Sequence, residues 1–220
     1  MKKYSILKNV LSKDFADFLY KYLLLKRQVA QTMFEQRAIP MNSKEWGYWE
    51  GDNDQVPNTF SSYADIVMET LLVKLLPVME KETKLKLYPN YSYLRIYKKG
   101  DVLKRHKDRF SCEISTTLNL GGDQWPIYLE PNKNVGIPDG KKITMSSNNK
   151  GIKVNLKPGD MLIYKGTELE HWREPFDGEN CAQVFLHYTN QNTKNAKENI
   201  FDTRPHLGLP QYFQVKYDKH

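Results

Sequence analysis

Apolar residues recur at helical spacing near the start of the chain, where Phe15, Phe18, Leu19, Tyr22 and Leu23 fall on one face. Ser12 stands just ahead of them as an N-cap, because its hydroxyl can accept from a backbone N–H that the first turn leaves unpaired. A second helical stretch is expected from Ser61 to Lys81, with Pro77 kinking it or opening a new helix. Between the two lies a polar segment, 40–58, bounded by Pro40 and Pro57 and carrying Trp46, Tyr48 and Trp49. Aromatic residues on such a segment either anchor it to the core or face a substrate as a lid, and the anchor is preferred here.

From Tyr91 the period shortens to two. The run Tyr91-Ser92-Tyr93-Leu94-Arg95-Ile96-Tyr97 alternates as a half-buried strand does, and Gly100-Asp101 then marks a turn. Further strands are expected over 113–120, 125–129, 152–156, 160–165 and 181–188. Gly121-Gly122 and Pro158-Gly159-Asp160 supply turns, the second placing Pro and Gly at the centre of a type II turn. Residues 131–150, rich in Asn, Lys, Gly and Pro, read as an exposed insertion. After Tyr188 the chain becomes an Asn- and Lys-rich tail with a Pro/Gly stretch at 204–210, in which His206 and His220 are plain tail residues. Helices followed by many short strands predict an α+β chain with a mainly β core, a sandwich or barrel backed by helices. The expected organisation is one domain over 1–220: helical support and loop over 1–88, a β core over 89–190 and a tail over 191–220.

Composition narrows this further. The chain has 220 residues, 40% hydrophobic and 27% charged, a globular balance. No run approaches the roughly 18 apolar residues of a membrane span. Met1-Lys2-Lys3-Tyr4-Ser5 lacks a secretory apolar run, and Cys112 and Cys181 are too few for a disulfide framework, so a cytoplasmic setting is expected. Both cysteines read as small buried hydrophobes. The net charge of +7 comes from 26 Lys and only 7 Arg, scattered along the chain. Phosphate and base recognition favours the planar fork of Arg, so nucleic acid ranks below a small-molecule or peptide partner.

The densest chemistry lies in Arg105-His106-Lys107-Asp108-Arg109. On extended backbone, residues two apart share a face, so His106 and Asp108 can offer a nitrogen and an oxygen to one ion. Imidazole with carboxylate suits a borderline metal such as Fe(II), Zn or Mn, although a surface cluster of ion pairs has the same local composition. His171, following the turn at Pro158-Gly159-Asp160 and the strand Met161-Leu162-Ile163-Tyr164, can add a second imidazole if the sheet folds back. Two His and one carboxylate make a facial triad with open positions, as an oxygenase requires. No helical Glu beside a ligand pair supports a zinc hydrolase.

The run from Tyr97 to Asp108, with its Gly100 turn and His-x-Asp, resembles the prolyl 4-hydroxylase-like group of 2-oxoglutarate/Fe(II) dioxygenases. Leu118-Asn119, Gly121-Gly122, Lys157-Pro158-Gly159-Asp160 and His171 follow in that family's order and approximate spacing. The resemblance covers 91–188 and implies a double-stranded β-helix (jelly roll, cupin-like) holding Fe(II) through His106, Asp108 and His171. It also implies 2-oxoglutarate as cosubstrate, converted to succinate as a C–H bond is hydroxylated, with a prolyl or other amino-acid or peptide substrate. Retention of Asp108 favours hydroxylation over the halogenation of relatives that lack this carboxylate.

Family members place a Lys or Arg about ten residues beyond the distal His, whereas here Cys181 occupies that place and the strand carries no basic residue but His187. Arg173, two beyond His171, is therefore assigned to the far carboxylate of 2-oxoglutarate, with hydroxyls from Thr117 and Tyr97 and orientation from Gln183. Several alternatives stay open. Arg173 can pair with Glu174 or Asp177, Gln183 can serve the strand core, and His187 can replace His171 as distal ligand. Arg109 can touch substrate or, more simply, pair with Glu113. Two rival functions share the fold: a cupin-like binding module without oxygenase activity, and an AlkB-type nucleic-acid demethylase, whose paired arginines this chain lacks.

Overall fold

A computed structural model describes residues 3–40, 42–49, 51, 55–135 and 149–215. Most of the expected insertion at 131–150, and His220 in the tail, lie outside the described residues. The chain opens with β1 (Tyr4–Leu7) and α1 (Lys13–Glu35), then the short β2 (Asn42–Ser43), β3 (Gly47–Trp49) and β4 (Phe60–Tyr63). After α2 (Ile66–Thr83) come β5 (Leu87–Lys98), β6 (Leu103–His106), β7 (Ile114–Gly122), β8 (Ile127–Leu129) and β9 (Ile152–Val154). The remaining strands are β10 (Met161–Tyr164), β11 (His171–Arg173) and β12 (Asn180–Asn190), followed by 3₁₀ turns at Ala196–Thr203 and Gln211–Phe213.

Ser12 caps α1, its hydroxyl accepting from the Phe15 N–H at 3.2 Å. Ala16, Leu19, Leu23 and Ala30 form the buried face, while Phe18 turns to solvent. Gly121 allows the close approach of α1 to the sheet, since a Cβ there would run into the Tyr20 ring. The second helix starts later than the pattern predicts. Phe60–Tyr63 pairs with β5 instead, Ala64 breaks the path at a φ of 56°, and Asp65 caps α2 by accepting from Met68 N–H at 3.0 Å. α2 continues through Pro77 without ending there. Val73, whose carbonyl loses its helical donor to the proline, is half-exposed, so water can serve it.

The strands form an eight-stranded sheet, β1-β10-β7-β12-β5-β4-β3-β2, and a four-stranded sheet, β6-β11-β8-β9. Period-two alternation assigns each face of the large sheet. Leu94 and Ile96 of β5, Leu118 and Leu120 of β7, and Ala182, Val184 and Leu186 of β12 pack with α1 and α2 in one apolar core. The intervening residues, among them Tyr91, Tyr93, Arg95 and Tyr97 of β5 and Phe185 and His187 of β12, line a cavity on the opposite face. This is a double-stranded β-helix, α+β with a mainly β core. The turn at Pro158-Gly159 forms as the sequence predicts, with Gly159 at a φ of 87° and Asp160 N–H donating to the Lys157 carbonyl at 2.9 Å.

Trp49 anchors its segment, packing edge-on against Phe60 with ring centroids 5.1 Å apart. The chain end is likewise built in. Arg204 and Glu69 form an ion pair at 2.8 Å with both side chains almost wholly buried, and Arg204 also donates to the Asn90 carbonyl. Among the described residues, no helix is long and apolar enough to cross a membrane.

Candidate metal centre

The small sheet brings the two imidazoles together. His106 at the end of β6 and His171 at the start of β11 are direct cross-strand partners, and their ring centroids lie 4.2 Å apart. Asp108 follows β6 by two residues and is tied down by its backbone N–H, which donates to the Gly166 carbonyl at 2.9 Å. Gly166 has to be a glycine, because a Cβ would collide with Asp108 Oδ2, the Cys112 carbonyl and Ser115 Oγ.

Asp108 Oδ1 lies 3.5 Å from His106 Nε2 and 3.4 Å from His171 Nε2. Neighbouring ligands of one ion at about 2.1 Å stand about 3.0 Å apart when cis, so only small adjustments bring these atoms to a common metal. The tautomers suit the same purpose. His106 Nδ1 lies 2.7 Å from the Lys104 carbonyl and His171 Nδ1 3.1 Å from that of Leu169. A carbonyl only accepts, so each Nδ1 carries the hydrogen and each Nε2 offers its lone pair.

Electrostatics sharpen the picture. Burial alone would raise the Asp108 carboxyl, but the two imidazoles hold it well below the usual range. Burial and the neighbouring His171 push His106 below its ordinary value. Burial would also lower His171, yet the charge and hydrogen bond of Asp108 outweigh it and raise the group. The three residues fit a divalent metal held by two neutral imidazoles and one carboxylate, with the remaining face open.

The cavity beside them holds about 210 Å³, with Tyr91, Tyr93, Phe185 and His187 on its wall and Gln55 and Arg95 reaching in. Gln55 is a residue that local sequence reading misses. It stands on the segment between β3 and β4, and its amide donates to His106 Nε2 at 2.8 Å, the lone pair a metal needs.

A second polar group lies deeper in the interior. Arg173 is buried and donates to the Trp125 carbonyl and to Thr117 Oγ1, the latter at 3.3 Å. Thr117 in turn donates to Gln183 Oε1 at 3.0 Å, and Gln183 contacts Cys181 Sγ at 3.1 Å. Among the described residues, Arg173 Nε and the Tyr97 hydroxyl are buried without a hydrogen-bond partner. Arg173 does not pair with Glu174 or Asp177: Glu174 accepts from Trp172 Nε1 instead, and no carboxylate of the described residues neutralises the guanidinium. Tyr97 borders the cavity, whereas Arg173, Thr117 and Gln183 stand outside its wall.

Other expectations come out differently. Arg109 does not pair with Glu113 but makes two 2.7 Å bonds to Asp202 from the chain end, while Glu113 accepts from Asn190 N–H and Thr193. Asp202 is 93 positions away from Arg109, beyond the reach of local spacing. His187 is not on the side of Asp108 that faces the imidazole pair, and groups instead with Asp108 and Cys112. Both cysteines are free and buried.

No protein-family model matches this sequence, and no curated protein matches it either. Solved structures do match in three dimensions. AviO1 from Streptomyces viridochromogenes is 14% identical with a TM-score of 0.61, over 89% of this chain and 93% of its own. HygX from Streptomyces hygroscopicus, solved with nickel and 2-oxoglutarate bound, is 13% identical with a TM-score of 0.60, over 88% of this chain and 85% of its own. A Pseudomonas putida prolyl-4-hydroxylase is 13% identical with a TM-score of 0.54, over 87% of this chain and 95% of its own. The fold is the double-stranded β-helix these proteins share, and the chain carries it with a candidate His-Asp-His cluster inside.

Proposed function

We propose that the chain is an Fe(II)- and 2-oxoglutarate-dependent dioxygenase that hydroxylates a C–H bond of a small-molecule or peptide substrate, amino acids and prolyl residues included. One observation carries the reading: two Nε2 lone pairs and a carboxylate oxygen converge, and Arg173, two residues beyond His171, keeps a buried guanidinium that pairs with no carboxylate among the described residues. An unpaired buried cation is costly, so a site that keeps one is built for an incoming carboxylate.

His106, Asp108 and His171 would hold the metal, and Arg173 the far carboxylate of 2-oxoglutarate, with Thr117, Tyr97 and Gln183 supplying polar contacts beside it. Bound iron would let dioxygen serve as the oxidant, its two oxygen atoms ending in succinate, formed with CO₂ from 2-oxoglutarate, and in the hydroxylated C–H bond. The chain contributes geometry. The Lys104 and Leu169 carbonyls fix the imidazole tautomers, and Asp108 supplies the negative charge. Gln55 would have to release His106 Nε2 for that lone pair to reach a metal. Tyr91, Tyr93 and Phe185 restrict water beside the reacting face.

The test is anaerobic loading with Fe(II) and 2-oxoglutarate, followed by oxygen and a substrate screen read as succinate. A visible charge-transfer band and substrate-stimulated succinate are expected from the wild type and lost in His106→Ala and Asp108→Ala. Full turnover in either variant would overturn the ligand assignment. Failure of both ligands to bind the wild type would favour a non-enzymatic binding module.

A further inference from the structure

His187 has no part in the chemistry so far, yet it is buried on the cavity wall next to the candidate metal centre. In register it sits between Tyr91 of β5 and Ser115 of β7, so the three side chains form a row across the sheet. The Tyr91 ring packs on His187 with centroids 4.5 Å apart, and the Tyr91 hydroxyl is committed to Cys112 Sγ. On the other side, Ser115 Oγ lies 3.0 Å from His187 Nδ1, 3.0 Å from Asp108 Oδ2 and 2.9 Å from the Cys112 carbonyl.

Counting protons favours one direction for these bonds. A serine hydroxyl has one hydrogen, and two of its three neighbours, the Asp108 carboxylate and the Cys112 carbonyl, can only accept. If Ser115 donated to His187, both acceptors would face its lone pairs at hydrogen-bonding distance. With the hydrogen on Nδ1 only one acceptor is left against a Ser115 lone pair instead of two, which favours that tautomer. Among the described residues no hydrogen bond reaches Nε2, which is then left as an acceptor on the cavity wall.

We propose that His187 is a positioning residue for the metal-site carboxylate: its Nδ1–H donates to Ser115, which directs the Ser115 hydrogen to Asp108 Oδ2 and keeps Oδ1 turned toward the two imidazoles. The proposal rests on the reading of Asp108 as a metal ligand. Outer hydrogen bonds of this kind govern ligand orientation and carry about 10- to 100-fold in metal affinity.

Long-range ¹H–¹⁵N NMR on the labelled full chain reads the His187 tautomer, and a Co(II) titration reads the positioning. The wild type should show Nδ1–H with and without Zn(II), and Ser115→Ala should bind Co(II) about 10- to 100-fold more weakly. His187→Phe should weaken Co(II) about tenfold, whereas His187→Asn, whose amide can take the place of Nδ1–H, should stay within about threefold of wild type. Cooperative melting of each variant, followed by circular dichroism, excludes misfolding as the cause. A wild-type His187 protonated on Nε2, or wild-type Co(II) affinity in both Ser115→Ala and His187→Phe, would overturn the relay. A wild type with Nδ1–H that binds no Co(II) would instead sink the ligand reading, leaving the hydrogen-bond direction intact.

Discussion

Replacing Arg173 with Met isolates the cosubstrate assignment from the metal. The side chain is buried, and among the described residues it donates only to the Trp125 carbonyl and Thr117. Removing one partner of a buried ion pair costs about 3–5 kcal/mol, so the dissociation constant for 2-oxoglutarate should rise by at least about 10²-fold, and by several thousand-fold at the upper end. The metal-free chain should not pay the same penalty. Arg173 has no anion to lose there, its Nε is already unpartnered, and Met fills a similar volume among Trp125, Cys181 and Tyr97. Melting of the Zn(II)-loaded protein with and without 2-oxoglutarate reads this directly. With ligand at 100 times its dissociation constant, the wild type gains about 2.7 kcal/mol, or roughly 5–11 °C for a chain of this size. At the same concentration a variant weakened 100-fold gains only about 0.4 kcal/mol, or roughly 1 °C. A variant that keeps the wild-type shift would refute the assignment of Arg173, whatever the fate of the metal ligands.

Other outcomes follow from the same geometry. Gly166→Ala should lower Co(II) affinity at least tenfold by driving a methyl group against Asp108 Oδ2 and Ser115, while Lys165→Ala should leave it unchanged. Metal affinity should fall with acidity: Asp108 raises His171 above its ordinary 6.5, so this imidazole still holds a proton just above that pH and must release it to bind. Zn(II) calorimetry in buffers of different ionisation enthalpy should therefore show more than about half a proton released at pH 6.5, and clearly less than half would contradict the shift. Arg204→Met strands the buried Glu69 carboxylate and should destabilise the fold by about 3–5 kcal/mol in urea unfolding, and a change under about 1 kcal/mol would show the chain end to be dispensable.

Much of the β core is legible because alternation of two carries it. Tyr91 to Tyr97 and Cys181 to His187 are written as strands with one face apolar and one polar, and so they fold. The meeting of His106, Asp108 and His171 is legible because the first two are two apart on extended chain and the third follows a turn that Pro158-Gly159 specifies. The errors share one cause, which is distance along the chain. Ser61 and Ser62 read as the start of a helix until β5 pairs with them, and Arg109 reads as a partner of Glu113 until Asp202 reaches it. The chain end looks like a tail because its polar residues have partners, Glu69 and Arg109, more than 90 positions away. Ser115 and His187 carry no motif, and only cross-strand register brings them to Asp108.

The direct pairing of His106 with His171 has a mechanical consequence. β6 and β11 have four and three residues, too few for their own ladder to hold them firmly. An ion bound to both imidazoles would act as a crosslink between two short partners of the small sheet, and a slip of one residue in either strand would turn its histidine outward and break that link. Loading the site thus amounts to a test of strand register, passed only when the small sheet is assembled in the alignment that also buries Arg173.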